Sequence, residues 1–277
     1  MVRTQGFHPC NRGSIPRGTA TLSVKILQIN NLSLKIAHQT VIDQFSMSVE
    51  ENRITGLFGQ SGSGKSSILK TILAYATEYT RYTGEILFKD EAISRVPRKK
   101  YQPVFQDPLS HFNPAWTLRD CLMEPLHILF AKIPMNEKEK KINSMLPDFN
   151  FQDAAILNKN ILNFSGGELQ RFAIMRALLC EPELLILDEP ISALDVSVQK
   201  EILQLLKGLV KTKNISVLIV SHDLDAMMEL CDYVYVIDAG RLVEQGEAKK
   251  VFVNPASEIT SRLIQSRYLG DIKYPVS

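Results

Sequence analysis

Residues 53–73, RITGLFGQSGSGKSSILKTIL, decide how the rest of the chain is organised. The stretch begins with an apolar run at residues 54–58, continues through a glycine-rich loop and ends in a pattern typical of a helix. Residues 59–66 fit the pattern G-x-x-x-x-G-K-[ST] at every defined position. A strand, this loop and a helix in that order predict a phosphate-binding loop, so nucleotide binding is the working hypothesis for the chain.

The composition of the loop has a physical reason. Three glycines let the backbone curl around a phosphate chain with several N–H groups pointing inward, and the following helix N-terminus favours anions. Lys65 is predicted to bridge the β- and γ-phosphates of a nucleotide, and the Ser66 hydroxyl is predicted to ligate Mg²⁺. The residues predicted to contact the nucleotide are Gly59, Gln60, Ser61, Gly62, Ser63, Gly64, Lys65, Ser66 and Ser67.

Length and composition exclude several other classes of protein. The chain has 277 residues, of which 45% are hydrophobic and 22% charged, which suits one large or two modest globular domains. A net charge of +2 indicates no general polyanion-binding surface, so no nucleic-acid partner is expected. The four cysteines are scattered without metal-site spacing, which favours a reducing, cytosolic setting. No apolar run approaches the ~20 residues that cross a bilayer, and no secretory signal is expected.

The first half of the chain predicts an antiparallel β part followed by helices. Residues 1–22 are polar and turn-rich, and are predicted to be a disordered or poorly ordered tail. Residues 25–35, 41–49 and 84–89 have strand patterns, and the helix after the phosphate loop is expected to end near Ala76. Residues 118–163 have a helical pattern, and a further helix is expected to run to about Cys180. A helical insertion subdomain is therefore predicted at about 107–180.

The second half predicts a covered parallel sheet. Residues 184–187 and 216–220 are apolar on both faces, as in the strands of such a sheet, and a helical pattern at 196–211 separates them. Residues 233–243 are β-rich and are followed by a helical tail from about residue 251. The predicted fold class is thus α/β, with the phosphate loop at its centre.

Two carboxylates follow the strand at residues 184–187. Asp188 and Glu189 come at its carboxyl end, where open α/β sheets bind ligands. Asp188 is predicted to hold Mg²⁺, and Glu189 to polarise the attacking water. A pair of acidic residues after a strand is weak evidence alone, but behind a phosphate loop it predicts the second half of a nucleotide site.

The segment Ser165-Gly166-Gly167-Glu168 looks like a second phosphate-binding helix N-terminus. One triphosphate does not need two such cradles from one chain. Two subunits that face each other resolve the conflict, because each then supplies this segment to the nucleotide of the other.

With these motifs in order, residues 23–246 resemble the ATP-binding cassette (ABC) family. The resemblance implies a P-loop ATPase domain at 23–250, with an N-terminal antiparallel β subdomain and a helical insertion subdomain, and a C-terminal tail at 251–277. It implies that Gln106 is the glutamine that reaches Mg²⁺ and reports to a transmembrane subunit. It also implies catalytic roles for Lys65, Gln106, Glu189 and His222, the last contacting the γ-phosphate. Ser165, Gly166 and Gly167 would form the signature that binds the partner's ATP, and Asp195 would belong to the D-loop at residues 192–195.

Further residues resemble one branch of this family. The order F-Q-D-P-x-x-x-x-N-P at residues 105–114, the run DVSVQ at 195–199 and the tail FVNPASEITSRLI at 252–264 are similar to importers of oligopeptides, dipeptides, nickel or nickel chelates. The cargo stays open between these, with nickel or its chelate slightly favoured because no cysteine follows Cys231.

One departure from the family pattern affects the predicted assembly, and a second concerns the binding of adenine. Phe164 and Glu168 stand at the ends of a signature that usually is L-S-G-G-Q, and Glu168 places negative charge near the partner's ATP. Because this charge would weaken that half of the site, a heterodimer with a second ATPase subunit is preferred over a homodimer. Residues 32–36 also lack a clear aromatic side chain for stacking on adenine.

The resemblance implies an ATP-hydrolysing importer subunit at the cytoplasmic face of the cell membrane, held there as a peripheral protein. Its implied partners are two transmembrane permease subunits, a second ATPase subunit and, indirectly, an extracytoplasmic solute-binding protein. Two alternatives stay open: a degenerate, ATP-binding regulatory subunit, and a soluble ABC ATPase outside transport. The intact Lys65, Asp188, Glu189 and His222 argue against the first of these, and the lack of a second cassette or basic insertion argues against the other.

Overall fold

The computed structural model describes residues 24–75, 80–192 and 194–270, with side chains described up to residue 266. The predicted tail at 1–22 lies outside these residues, as do Ala76 and Ala193. The strands are, in order, β1 (Lys25–Ile36), β2 (Gln39–Glu50), β3 (Ile54–Phe58), β4 (Thr80–Phe88), β5 (Glu91–Ala92), β6 (Tyr101–Val104), β7 (Leu184–Asp188), β8 (Ser216–Ser221), β9 (Tyr233–Asp238) and β10 (Arg241–Glu247). The helices are α1 (Lys65–Ile72), α2 (Leu118–Leu129), α3 (Met135–Met145), α4 (Gly166–Leu178), α5 (Val196–Lys213), α6 (Leu224–Leu230), α7 (Ala248–Val253) and α8 (Glu258–Gly270).

The strands form two sheets. The first has the order β2-β1-β4-β5 and is antiparallel throughout, as predicted for the N-terminal part. The second has the order β10-β9-β3-β8-β7-β6, in which the central strands pair in parallel and β10 pairs antiparallel with β9. The α/β fold class predicted from the sequence is confirmed.

The parallel sheet is buried on both faces. Every residue of β3 and β8 is buried, and alternate side chains of β7 point to opposite sides. Leu185 and Leu187 belong to a core shared with helices α2, α4 and α5. Leu184 and Ile186 belong to a second core shared with α1 and the antiparallel sheet. Because layers cover both faces, the edge at the carboxyl ends of the strands is left for a ligand.

Sheet order determines which loops meet at that edge. β8 lies between β3 and β7, with Phe58 paired to Ser221 and Asp188 paired to Val220. The phosphate loop after β3, the carboxylates at the end of β7 and His222 after β8 therefore lie side by side.

Two elements differ from the sequence predictions. Helix α1 ends at Ile72 rather than near Ala76, because Ala74 adopts a positive φ of 47°. Helix α6 was not predicted; the carboxylate of Asp223 caps it by accepting a hydrogen bond from the Ala226 N–H at 3.1 Å. In its described part, the predicted helical tail contains two helices that pack on the core around β7: α7 buries Val251 and Phe252 there, and α8 buries Leu263.

The helices α2, α3 and α4 lie within the range 107–180 that was predicted for a helical subdomain. The division of the chain at residues 22, 107, 180 and 250 stays a prediction. Among the described helices, each is too short or too polar to cross a membrane.

Candidate functional site

A cavity of about 230 Å³ opens at the carboxyl edge of the parallel sheet. It brings together residues that are far apart in the sequence, from the phosphate loop and from the ends of β6, β7 and β8. Its lining residues are Val41, Ser61, Gly62, Gly64, Lys65, Ser66, Ser67, Gln106, Glu189 and His222.

The loop before α1 needs glycine at defined points. Gly64 is the N-cap of α1 with a φ of 107°, and Gly62 has a φ of 82°, both in the region that disfavours side chains. At Gly59, a Cβ atom would lie 2.3 Å from the backbone oxygen of Ile237. The backbone can therefore approach a ligand closely only with these residues.

Lys65 lies buried at the floor of the cavity, 6% exposed. Its Nζ donates hydrogen bonds to the backbone oxygens of Gly59 at 2.7 Å and Gln60 at 2.8 Å. Burial lowers the pKa of this ammonium group, while the carboxylates of Glu189 and then Asp188 raise it. Because the Lys65 ammonium donates its hydrogen bonds among the described residues to neutral carbonyl oxygens, it retains a charge that can bind an anion.

Asp188 has an oxygen that lacks a partner. Its Oδ1 is buried without a hydrogen-bond partner among the described residues, a costly arrangement unless a ligand satisfies it. Burial, followed by the charge of Glu189, raises the pKa of the carboxyl group, and Lys65 and Lys70 lower it. A hard cation such as Mg²⁺ fits this orphan oxygen, because such cations prefer carboxylate and hydroxyl oxygens. Ser66 supplies an exposed hydroxyl to the cavity, which is also lined by Glu189, the residue directly after Asp188.

Glu189 is held from several directions. Its backbone adopts a φ of 49°, and its N–H donates to the Val220 oxygen at 2.9 Å. The Ser221 hydroxyl donates to Oε2 at 3.2 Å, and Nδ1 of His222 lies 2.8 Å from Oε1. The carboxylate thus has a fixed orientation beside the cavity.

Gln106 is linked to Glu189 through Ser192, which belongs to the predicted D-loop but was not singled out as a site residue. Its Nε2 donates to the Ser192 hydroxyl at 3.1 Å, and that hydroxyl donates to the Glu189 backbone oxygen at 3.2 Å. Ser221 was missed in the same way. The sequence signal for Ser221 was a hydroxyl at the end of a buried strand. Its hydrogen bond to Glu189, however, depends on β8 lying next to β7 in the sheet.

The predicted second cradle lies apart from this cavity. Among the described residues that line it, none is Ser165, Gly166, Gly167 or Asp195. Ser165 caps α4: its N–H and hydroxyl both donate to Oε2 of Glu168 at 2.8 Å, and its Oγ accepts from the Glu168 N–H at 3.3 Å. Gly167 packs against α5, since a Cβ there would lie 2.4 Å from Cγ1 of Val198. Asp195 is the N-cap residue of α5 and makes no side-chain capping bond.

The fold and the site together define a class of protein. A parallel α/β sheet with a glycine-rich loop before a helix, and with carboxylates at the end of a neighbouring strand, is the arrangement of a P-loop nucleoside triphosphatase.

Comparison with known proteins narrows this class. A family model described as "ABC transporter" matches residues 42–192. The chain is 35% identical over 232 residues to the oligopeptide transport ATP-binding protein OppF of Lactococcus lactis subsp. lactis (strain IL1403), covering 81% of this chain and 71% of that protein. It is 34% identical over 270 residues to OppF of Bacillus subtilis (strain 168), covering 91% and 86%.

A solved structure agrees with these relatives. The structure of cbiO1 from Clostridium perfringens, described as part of the ABC transporter complex cbiONQ, matches with a TM-score of 0.73 and 26% identity over 89% of this chain and 96% of that chain. The chain belongs to the ABC transporter family, as an ATPase subunit, and the resemblance seen in its motifs is confirmed.

Proposed function

We infer that this chain is the ATP-hydrolysing subunit of an ABC importer, acting as a peripheral protein at the cytoplasmic face of the cell membrane. One observation carries the inference. Lys65, Glu189 and His222 line a single cavity beside a phosphate loop. Asp188, whose Oδ1 has no partner among the described residues, is the last residue of β7 and directly precedes Glu189.

The phosphate loop and Lys65 would bind the triphosphate of ATP. When ATP binds, the Lys65 ammonium would exchange its two carbonyl acceptors, those of Gly59 and Gln60, for phosphate oxygens. Ser66, Asp188 and Gln106 would hold Mg²⁺, which supplies neutralisation of the charge that develops on the transferred phosphoryl group. The remaining loop residues, from Gly59 to Ser67, would donate backbone N–H and hydroxyl groups.

Glu189 would accept the proton of the attacking water. Ser221 and His222 hold its carboxylate in one orientation, which is the geometry that general base catalysis needs. His222, whose side chain is 57% exposed, would also stabilise the charge of the transition state.

The second cradle would act on the nucleotide of a partner. Ser165 and Gly166 are exposed and lie off the chain's own cavity, which supports a role for the segment 165–167, with Asp195, across a subunit interface. A second ATPase subunit with a neutral residue at the position of Glu168 suits this interface better than an identical copy.

The cargo follows from the relatives rather than from the site. Proteins similar over most of this chain are named for oligopeptide transport, so we favour oligopeptides over nickel or its chelates. Two transmembrane permeases and an extracytoplasmic solute-binding protein would complete the transporter, and no nucleic acid is needed.

Replacing Lys65 tests the nucleotide site directly. We expect Lys65→Ala to weaken ATP binding by about 10- to 100-fold, since hydrogen bonds to charged groups contribute ~1.5–3 kcal/mol. Titration calorimetry of the full chain measures this, with Lys211→Ala, an exposed lysine on α5 that does not line the cavity, as the control. ATP affinity unchanged in Lys65→Ala would refute the proposed site.

A non-hydrolysing regulatory subunit is the second candidate. The Ser165 hydroxyl already donates its hydrogen bond to the Glu168 carboxylate, so it would be less available to a partner's nucleotide. Steady-state ATPase activity of the complex with its membrane partners separates the two. Hydrolysis that needs Glu189 of this chain supports the importer ATPase, whereas hydrolysis that survives its loss supports the regulator.

A further inference from the structure

A histidine outside the cavity contacts the residue directly before Gln106. His111 ends a short 3₁₀ helix, Pro108–His111, that follows Gln106. Its Nε2 accepts a hydrogen bond from the backbone N–H of Phe105 at 2.8 Å. Its ring also stacks on the Phe105 ring, with centroids 5.5 Å apart and an interplanar angle of 18°.

This hydrogen bond replaces one that the sheet no longer provides. β6 ends at Val104, whose partner in β7 is Leu187, so the N–H of Phe105 lies beyond the ladder. A partly buried backbone N–H without an acceptor is costly. His111 satisfies it and thereby fixes the chain where it leaves the sheet.

The other end of the segment is fixed as well. The side chain of Asp107 accepts from the Leu109 N–H at 3.0 Å, and its backbone oxygen accepts from the Ser110 hydroxyl at 2.6 Å. Gln106 therefore lies between two restrained residues, with its side-chain amide on Ser192.

The imidazole is an acceptor at neutral pH. Burial and then the positive charge of Arg176 on α4 lower the pKa of His111, while the backbone of Phe105 and the carboxylate of Asp107 raise it, and the resulting pKa is about 4. A neutral ring that accepts at Nε2 carries its proton on Nδ1.

We propose that His111 is a positioning residue for Gln106: it holds the Phe105 N–H so that Gln106 stays at the wall of the cavity that Ser66 and Glu189 also line. The proposal rests on the inferred role of Gln106 in Mg²⁺ binding. His111 itself is not among the residues that line the cavity.

Two substitutions separate the hydrogen bond from simple packing. His111→Phe retains an aromatic ring that can stack on Phe105 but has no acceptor. His111→Gln loses the ring but places an amide oxygen at about the reach of Nε2. If the hydrogen bond matters, the glutamine variant retains function; if only the stacked ring matters, the phenylalanine variant does.

The first measurement needs no nucleotide. Hydrogen–deuterium exchange of the full chain is followed at the amides of residues 101–106. We expect faster exchange at Phe105 in His111→Phe, by about tenfold for one lost hydrogen bond, and near wild-type exchange in His111→Gln. Equal exchange at Phe105 in wild type and His111→Phe would overturn the proposal.

The second measurement compares ATP binding with Mg²⁺ and with EDTA. We expect His111→Phe to reduce the gain in affinity from Mg²⁺ by three- to tenfold and to leave affinity in EDTA unchanged. An equal loss in both conditions would indicate a structural role only and would overturn the proposal, as would an equal loss in His111→Gln.

Gln106→Ala distinguishes this proposal from the function on which it rests. If Gln106→Ala reduces the Mg²⁺ gain but His111→Phe does not, the positioning role of His111 is wrong and the nucleotide site stands. If Gln106→Ala retains the full Mg²⁺ gain, the inferred role of Gln106 fails, and the proposal fails with it.

Discussion

At the scale of single residues, Glu189 shows how the site depends on neighbouring strands. Each oxygen of its carboxylate contacts a side chain that follows or ends β8, Ser221 on one and His222 on the other. Its positive φ of 49° is unfavourable for a glutamate, and such strain is retained where the surroundings fix it. Orientation, rather than the mere presence of an acid, is what the structure adds to the sequence motif.

Glu189→Gln tests the role of this carboxylate. The amide retains the shape and can still bond to Ser221 and His222, but it cannot accept the proton of water. We expect ATP hydrolysis to fall by about 10²–10⁴-fold while ATP binding is retained, as measured by phosphate release and calorimetry. Glu229→Gln, at a surface ion pair with Lys207, is the control, and wild-type hydrolysis by Glu189→Gln would disprove a base at this position.

His111 predicts a pH dependence of stability. Its pKa is about 4 in the folded chain and 6.5 for an ordinary histidine. Between these values the unfolded chain binds more protons, so the free energy of unfolding decreases as pH falls from 6.5 towards 4, by no more than about 3 kcal/mol from this group. Denaturant unfolding at several pH values should show a shallower acid loss for His111→Phe, and an identical slope in both proteins would contradict the assignment.

Local motifs explain which site residues could be predicted. Residues 59–67, Asp188 and Glu189 carry their signal in a few adjacent positions, so the sequence alone could predict a role for them, and their role in nucleotide binding stays a prediction. Ser192, Ser221 and His111 act through contacts with Gln106, Glu189 and Phe105 that depend on strand order and side-chain direction. A single serine or histidine in the sequence carries no sign of such a partner.

At the scale of elements, most strands and long helices were predictable because their apolar residues repeat at the period of a strand or a helix. Helix α6 has only seven residues, too few for a period to emerge. The end of α1 was missed because no glycine or proline marks it; Ala74 takes the positive φ instead, next to the fully buried Leu73. Packing thus determined the boundary that local propensity left open.

The start of α4 gives a prediction about Glu168. Its carboxylate completes a capping box with Ser165, and a glutamine can fill the same role. We expect Glu168→Ala to lower the free energy of unfolding by about 0.5–1 kcal/mol, and Glu168→Gln to change it by only a few tenths. Chemical denaturation measures both, and equal losses in the two variants would show that the charge of Glu168, and not its capping hydrogen bond, stabilises the helix.

At the scale of the whole molecule, the two cradles face different surroundings. The phosphate loop shares its cavity with Gln106, Glu189 and His222, whereas Ser165 and Gly166 lie exposed at the start of α4. The sequence predicted both cradles and the α/β fold, but only the sheet order shows which loops share one edge. The proposed second subunit would bring Ser165 and Gly166 to a nucleotide that this chain's own cavity does not share with them.

The charge of Glu168 then predicts which second subunit is accepted. In the Glu189→Gln background, ATP is bound but not hydrolysed. We expect this variant alone to elute as a monomer in the presence of ATP. The reason is that the Glu168 carboxylate at the N-terminus of α4 repels the phosphates of a nucleotide on a second copy more than the helix terminus attracts them. Adding Glu168→Gln removes this repulsion and retains the cap, so the double variant should elute as a dimer. Size-exclusion chromatography with ATP and Mg²⁺ compares the two at equal concentration. A tight homodimer of the single variant would count against the heterodimer, and a monomeric double variant would show that this charge is not what prevents self-association.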